Sequence, residues 1–111
     1  MSNLRSIKQK PVDIEIEGKI YKLVYTLNSI IEIEEEYGSL NAALDKMEEG
    51  SIKAIRKLIW AGFIQEHPEI TEVQVGAMLP MESMSEIADI IAEVLGGSMP
   101  EAEEELNPIK N

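Results

Sequence analysis

Cysteine is absent from all 111 residues, which excludes disulfides and thiolate chemistry. No apolar run approaches the ~20 residues of a membrane span, and the basic start, with Arg5, Lys8 and Lys10, is not followed by the apolar stretch of a signal peptide. A soluble, cytoplasmic product is therefore expected. Aromatic residues are scarce: one Phe, one Trp and three Tyr in a chain that is 44% hydrophobic. The core must be aliphatic, built from Ile, Leu, Val and Met, which tolerate repacking. Positive charge is also short. Ten basic residues face 21 acidic ones, a formal charge of −11, so the basic surface on which most binding to nucleic acid or anionic lipid depends is missing. Neither nucleic acid nor membrane is expected as a partner.

What is present suffices for one domain. Residues 1–11 read as a flexible basic arm closed by Pro11. Strict alternation follows, with Val12, Ile14 and Ile16, then Tyr21, Leu23 and Tyr25, on one face of a β-hairpin. Its turn falls at Glu17-Gly18-Lys19, where either Glu17-Gly18 or Gly18-Lys19 fits the two central positions, and both registers bury the same side chains. A lone hairpin is marginally stable, so helices must cover it.

The helical segments carry their own punctuation. Ser29 with Glu32 reads as a capping box opening a helix with Ile30, Ile33 and Tyr37 on one stripe, ended by Gly38. Ser39 caps a second helix bearing Leu40, Ala43, Leu44 and Met47 and stopping at Gly50. Ser51 caps the most apolar helix, expected to run to about His67 before Pro68, with Ile52, Ile55, Leu58, Ile59, Gly62 and Phe63 on one arc. Thr71 and Gln74 box a short helix through Val73, Val75, Met78 and Leu79 that Pro80 ends. The last helix starts near Met81 or Ser83, presents Met84, Ile87, Ile91, Val94 and Leu95, and stops at Gly96-Gly97. The predicted fold is α+β: an N-terminal β-hairpin packed on about four to five short helices in one domain over 12–97. The hairpin face should meet Ile30, Ile55, Ile59 and Phe63. Residues 98–111, with four glutamates and two prolines, read as a disordered acidic tail.

Reactive constellations are hard to assemble from these residues. His67 is the only imidazole and sits at a predicted helix C-terminus, where a cation suits the helix dipole. A Ser-His-acid triad would have to recruit Asp13, Asp45 or Asp89 without any supporting pattern. Glu32 and Glu36 share a helix face but lack the Glu-x-x-His partner helix of carboxylate metal sites, no calcium loop is present, and Gly96-Gly97 leads into acid rather than opening a helix. No enzyme activity, metal or cofactor is expected. Trp60 is the open case. On the third helix it lies on a flank with Lys53, Lys57 and Ile64; core packing is the commoner fate of an indole, and a partner-binding surface formed by those four residues is the alternative.

In order along the chain, the hairpin with its Gly turn, the Leu27-Asn28-Ser29-Ile30 helix start, the Glu34-to-Leu40 acidic helix end and the Ile55-to-Gly62 block closed by Glu66-His67-Pro68 resemble the phage tail assembly chaperone family, particularly its gene-transfer-agent-like branch. The resemblance covers Val12 to Leu95 and contains no catalytic signature. It implies a non-enzymatic factor in the cytoplasm of a bacterial host, whose partners are the tape measure protein and tail-tube subunits. Some members of the group are instead described as tail tube or minor tail components. Relatives also often yield a longer product by ribosomal frameshifting, and Lys110-Asn111 is encodable as part of a slippery stretch. A reading from another class is an acidic nucleic-acid mimic that occupies a host protein, although the acids gather on one helix and the tail. The oligomeric state stays open, a homo-oligomer included.

Overall fold

Alternation and turn chemistry meet at the hairpin. In the computed structural model, which describes residues 11–96, Val12–Ile16 (β1) and Lys19–Leu23 (β2) pair antiparallel, with Ile16 opposite Lys19 and Val12 opposite Leu23. Glu17 and Gly18 therefore hold the central turn positions, at φ 50° and 85°. Positive φ at both is the type I′ requirement, and it matches the natural twist of the strands. Ile14, Ile16 and Leu23 are buried, and Tyr21 and Tyr25 pack beside them. The basic arm expected before Pro11 and the tail expected over 98–111 lie outside the described residues.

Five α-helices follow: Leu27–Tyr37 (α1), Leu40–Glu48 (α2), Ile52–Phe63 (α3), Glu72–Met78 (α4) and Met84–Ile91 (α5). A 3₁₀ turn, Met81–Ser83, leads into α5, and a π-helical turn, Ala92–Gly96, continues it. The start of α1 departs from the sequence expectation. Thr26, not Ser29, is the N-cap, and the reciprocal partner is Ser29, whose hydroxyl accepts from the Thr26 N–H at 3.0 Å while its own N–H donates to Thr26 Oγ1 at 3.3 Å. The earlier start satisfies backbone groups at the strand-to-helix junction, because the wholly buried Ser29 hydroxyl also reaches the Val24 carbonyl at 3.5 Å. Ser39, Ser51 and Thr71 cap α2, α3 and α4 at the expected positions.

Helix α3 is the axis of the molecule: Ala54, Leu58, Ile59, Ala61 and Phe63 are fully buried. It ends four residues before His67. Continuing it would drive the Pro68 ring into the Ile64 carbonyl; instead the N–H groups of Glu66 and His67 both close on the Phe63 carbonyl, at 3.1 and 2.8 Å. Ile52, expected on the buried arc, is half exposed in the first turn of α3, and Val73 of α4 is also exposed. Buried side chains from both strands and all five helices form one cluster.

Gly62 explains how the hairpin docks. A Cβ there would lie 2.7 Å from Tyr25 Cζ and 3.1 Å from Leu23 Cδ2. Without one, the chain leaving β2 lies directly against α3: Val24 N–H donates to the Gly62 carbonyl at 2.9 Å, and the Tyr25 hydroxyl donates to the Leu58 carbonyl at 2.7 Å. The first of these bonds satisfies a carbonyl in the last turn of α3 that has no partner within the helix. Burial raises the pKa of the Tyr25 hydroxyl well above the ordinary tyrosine value.

Candidate interaction site

The flank of α3 is organised around Lys57, a buried cation. Its ammonium lies 3.3 Å from Glu36 of α1 and 3.2 Å from Glu72 of α4, and 4.5 Å above the Trp60 ring. Lys53 reaches Glu36 at 3.3 Å, and Arg56 approaches Glu72 at 3.6 Å with its own Nε buried and unpaired. The Trp60 indole N–H donates to the Ile70 carbonyl at 3.0 Å, tying α3 to the segment that leads into α4. Glu36 of α1, Glu72 of α4 and the Trp60 ring of α3 thus converge on a single ammonium.

The protonation states follow from these contacts. Burial alone would lower the Lys57 pKa, but hydrogen bonds and charge from Glu72 and Glu36 outweigh it and hold the ammonium above its ordinary value. For Glu36, burial would raise the pKa, yet hydrogen bonds and charge from Lys53 and Lys57 hold the carboxyl below the usual glutamate range. Glu36 and Lys57 thus each hold the other in its charged form.

Of the four residues singled out from sequence, Lys53, Lys57 and Trp60 are therefore brought together. Lys57 and the indole N–H are committed to partners within the chain, while Lys53 and part of Ile64 face outward. Sequence reading missed Glu36, Glu72 and Ile70, which arrive from other elements; no local pattern marks them as partners of Lys57. His67 is exposed and sits edge-on to Phe63, ring centroids 6.0 Å apart, and among the described residues no hydrogen bond or ion pair joins it to Asp13, Asp45 or Asp89. Nor, among them, does any group of three or more acidic or His side chains take up a metal-binding arrangement.

A second surface lies where α2 and α3 meet the start of α5. Met47, Ile52, Ile55, Met81, Met84 and Ala88 line an open apolar cleft of about 330 Å³. Ile52 is 52% and Met81 67% exposed at its rim. Methionine side chains make such a surface adaptable to different apolar shapes.

The family model described as phage tail tube protein, GTA-gp10, matches residues 10–100. The chain belongs to that family. The match takes in every strand and helix described above, so the phage or gene-transfer-agent tail assignment applies to the whole fold rather than to one motif. No curated protein and no solved structure matches the chain. Among the described residues, no helix is long and apolar enough to cross a membrane.

Proposed function

We propose that the protein is a non-enzymatic component of a phage-type tail that acts by binding other tail subunits, as a tube or minor structural element. The family match over residues 10–100 carries this reading. The Met-lined cleft supports it as an apolar contact surface, and Lys53 and Ile64 on the α3 flank offer a separate accessible patch. The test is the composition of finished particles. Tails purified from producing cells should contain the chain in fixed proportion to the tube subunits by quantitative mass spectrometry, and Met81→Glu should reduce its incorporation without lowering its melting temperature. Particles free of the chain would overturn the structural role.

A second reading, a tail assembly chaperone for the tape measure protein in the host cytoplasm, draws on one observation: an adaptable apolar cleft on a chain of charge −11. Such a chain covers an apolar helical client while its charge keeps the complex soluble. A chaperone would co-purify with tape measure protein from cells during assembly and be absent from finished tails, so the same particle measurement separates the two roles.

A further inference from the structure

Among the described residues, the outer edge of β1 is unpaired, and it is acidic. In a two-residue hairpin the pair flanking the turn exchanges hydrogen bonds and the pattern alternates from there, so with Ile16 opposite Lys19, residues Val12, Ile14 and Ile16 bond to β2 while Asp13 and Glu15 turn their N–H and C=O groups outward. Among the described residues, none of those outward backbone groups has a partner. Between this edge and α5 runs a cleft of about 320 Å³, with Asp13, Glu15, Glu17 and Glu86 at its walls and Ile87 and Ile90 among its lining. Asp13 pairs with Lys22 across the hairpin, whereas Glu15, Glu17 and Glu86 have no ion-pair partner among the described residues.

We propose that residues 1–10 of a second copy of the chain occupy this cleft, adding a short strand to the β1 edge. The segment carries Arg5, Lys8 and Lys10, no acid and no proline, and includes Ile7 for the apolar lining. Extended, ten residues span ~33 Å, against ~17 Å for the five-residue β1, which leaves enough chain to bridge two copies. Backbone pairing supplies the attachment and the charges select the partner. The segment comes from another copy because folding back onto its own strand is obstructed. A two-residue hairpin turn at Lys10-Pro11 needs positive φ at its first central residue or at both; Pro11 is fixed near −65° and Lys10, unlike glycine, disfavours that region. The parity of β1 opposes such a turn as well, since Val12 already points its backbone groups at β2. Nearly all of this segment lies outside the residues matched by the family model, and the contact stands whether the tail role is structural or transient.

Charge exchange in the full chain tests it. Sedimentation velocity should show the unaltered chain associating with rising concentration, and less so in high salt. The arm variant Arg5→Glu/Lys8→Glu/Lys10→Glu and the cleft variant Glu15→Lys/Glu86→Lys should each associate roughly tenfold more weakly or worse. An equimolar mixture of the two should recover association, since each then offers the complement of the other. Circular dichroism confirms folding, and Glu86→Lys alone, outside the sheet, replaces the cleft variant if the pair disturbs the hairpin. A chain that stays monomeric throughout, or variants that associate like the original, would overturn the proposal. So would a mixture that stays monomeric.

Discussion

The two sides of α3 are buried by different means. Toward the hairpin, Leu58, Ile59, Gly62 and Phe63 exclude water by shape, with the absent Gly62 side chain as the decisive fit. Toward α1 and α4, burial is achieved by neutralisation: Lys57 is covered because Glu36, Glu72 and the Trp60 ring surround it. A shape-fitted contact loses energy in proportion to the volume removed and ignores pH and salt. A charge-fitted contact exchanges the hydration of its ions for their mutual attraction, so its net value is smaller and depends on conditions.

The largest effect should come from the shape-fitted side. Phe63→Ala opens a cavity beside Tyr21 and should cost about 3–5 kcal/mol, and Ile59→Ala about 2–5 kcal/mol; urea unfolding followed by circular dichroism measures both. Equal stability of either variant and the original would remove α3 from the centre of the core. Gly62→Ala comes next. Its methyl must displace the Tyr25 ring or Leu23, at about 1–3 kcal/mol for overpacking, offset by up to ~1 kcal/mol of improved helix propensity. A gain in melting temperature would show that the hairpin moves aside freely.

On the charge-fitted side, Lys57→Met should cost about 1–2 kcal/mol at neutral pH. That is below the usual penalty for orphaning a buried ion pair, because the side chains of Glu36 and Glu72 remain 30% and 25% exposed. The comparison sharpens with pH. Glu36 is held below its ordinary range, so its stabilisation is complete above the unfolded glutamate pKa of about 4.3 and is lost as pH falls through the lowered native value. Lys57, held above its ordinary value, contributes fully below it and loses that contribution only as pH rises through the raised value, in strong alkali. The penalty of Lys57→Met should therefore shrink in acid while that of Ile59→Ala stays constant. Parallel pH profiles for the two variants would erase the distinction. The smallest effect belongs to Thr71→Ala, which removes one half of the α4 capping box and should cost about 1 kcal/mol, read as faster amide exchange confined to residues 72–75.

The contrast also separates what the residue pattern disclosed from what it concealed. Shape-fitted elements announce themselves locally. Alternation marked the hairpin, and Ser39, Ser51 and Thr71 marked three helix starts, because caps and periodicity act within a few residues. Where two local patterns competed, context decided: Thr26-x-x-Ser29 displaced Ser29-x-x-Glu32 because the junction with β2 needed the Ser29 hydroxyl. The Pro68 stop was visible, but its reach back to Ile64 shortened α3 beyond the expected end. The charge-fitted side was concealed because Lys57 meets Glu36 and Glu72 across 21 and 15 positions of sequence, a separation that only the packed helices close.

Trp60 is the sole tryptophan, its indole bonded to the Ile70 carbonyl and its ring facing the Lys57 ammonium. The chain thus carries one indole, which can be excited at wavelengths the three tyrosines do not absorb, placed at the seam where α4 joins the body. Its emission isolates that seam from the rest of the molecule: release of the Ile70 bond or of the ammonium changes the colour and intensity of the signal, while events at the β1 edge or the methionine cleft leave it alone unless the seam itself moves. A partner that lifts α4 would be seen without a label, and one that docks elsewhere would pass unseen, so the tryptophan emission sorts the modes of binding.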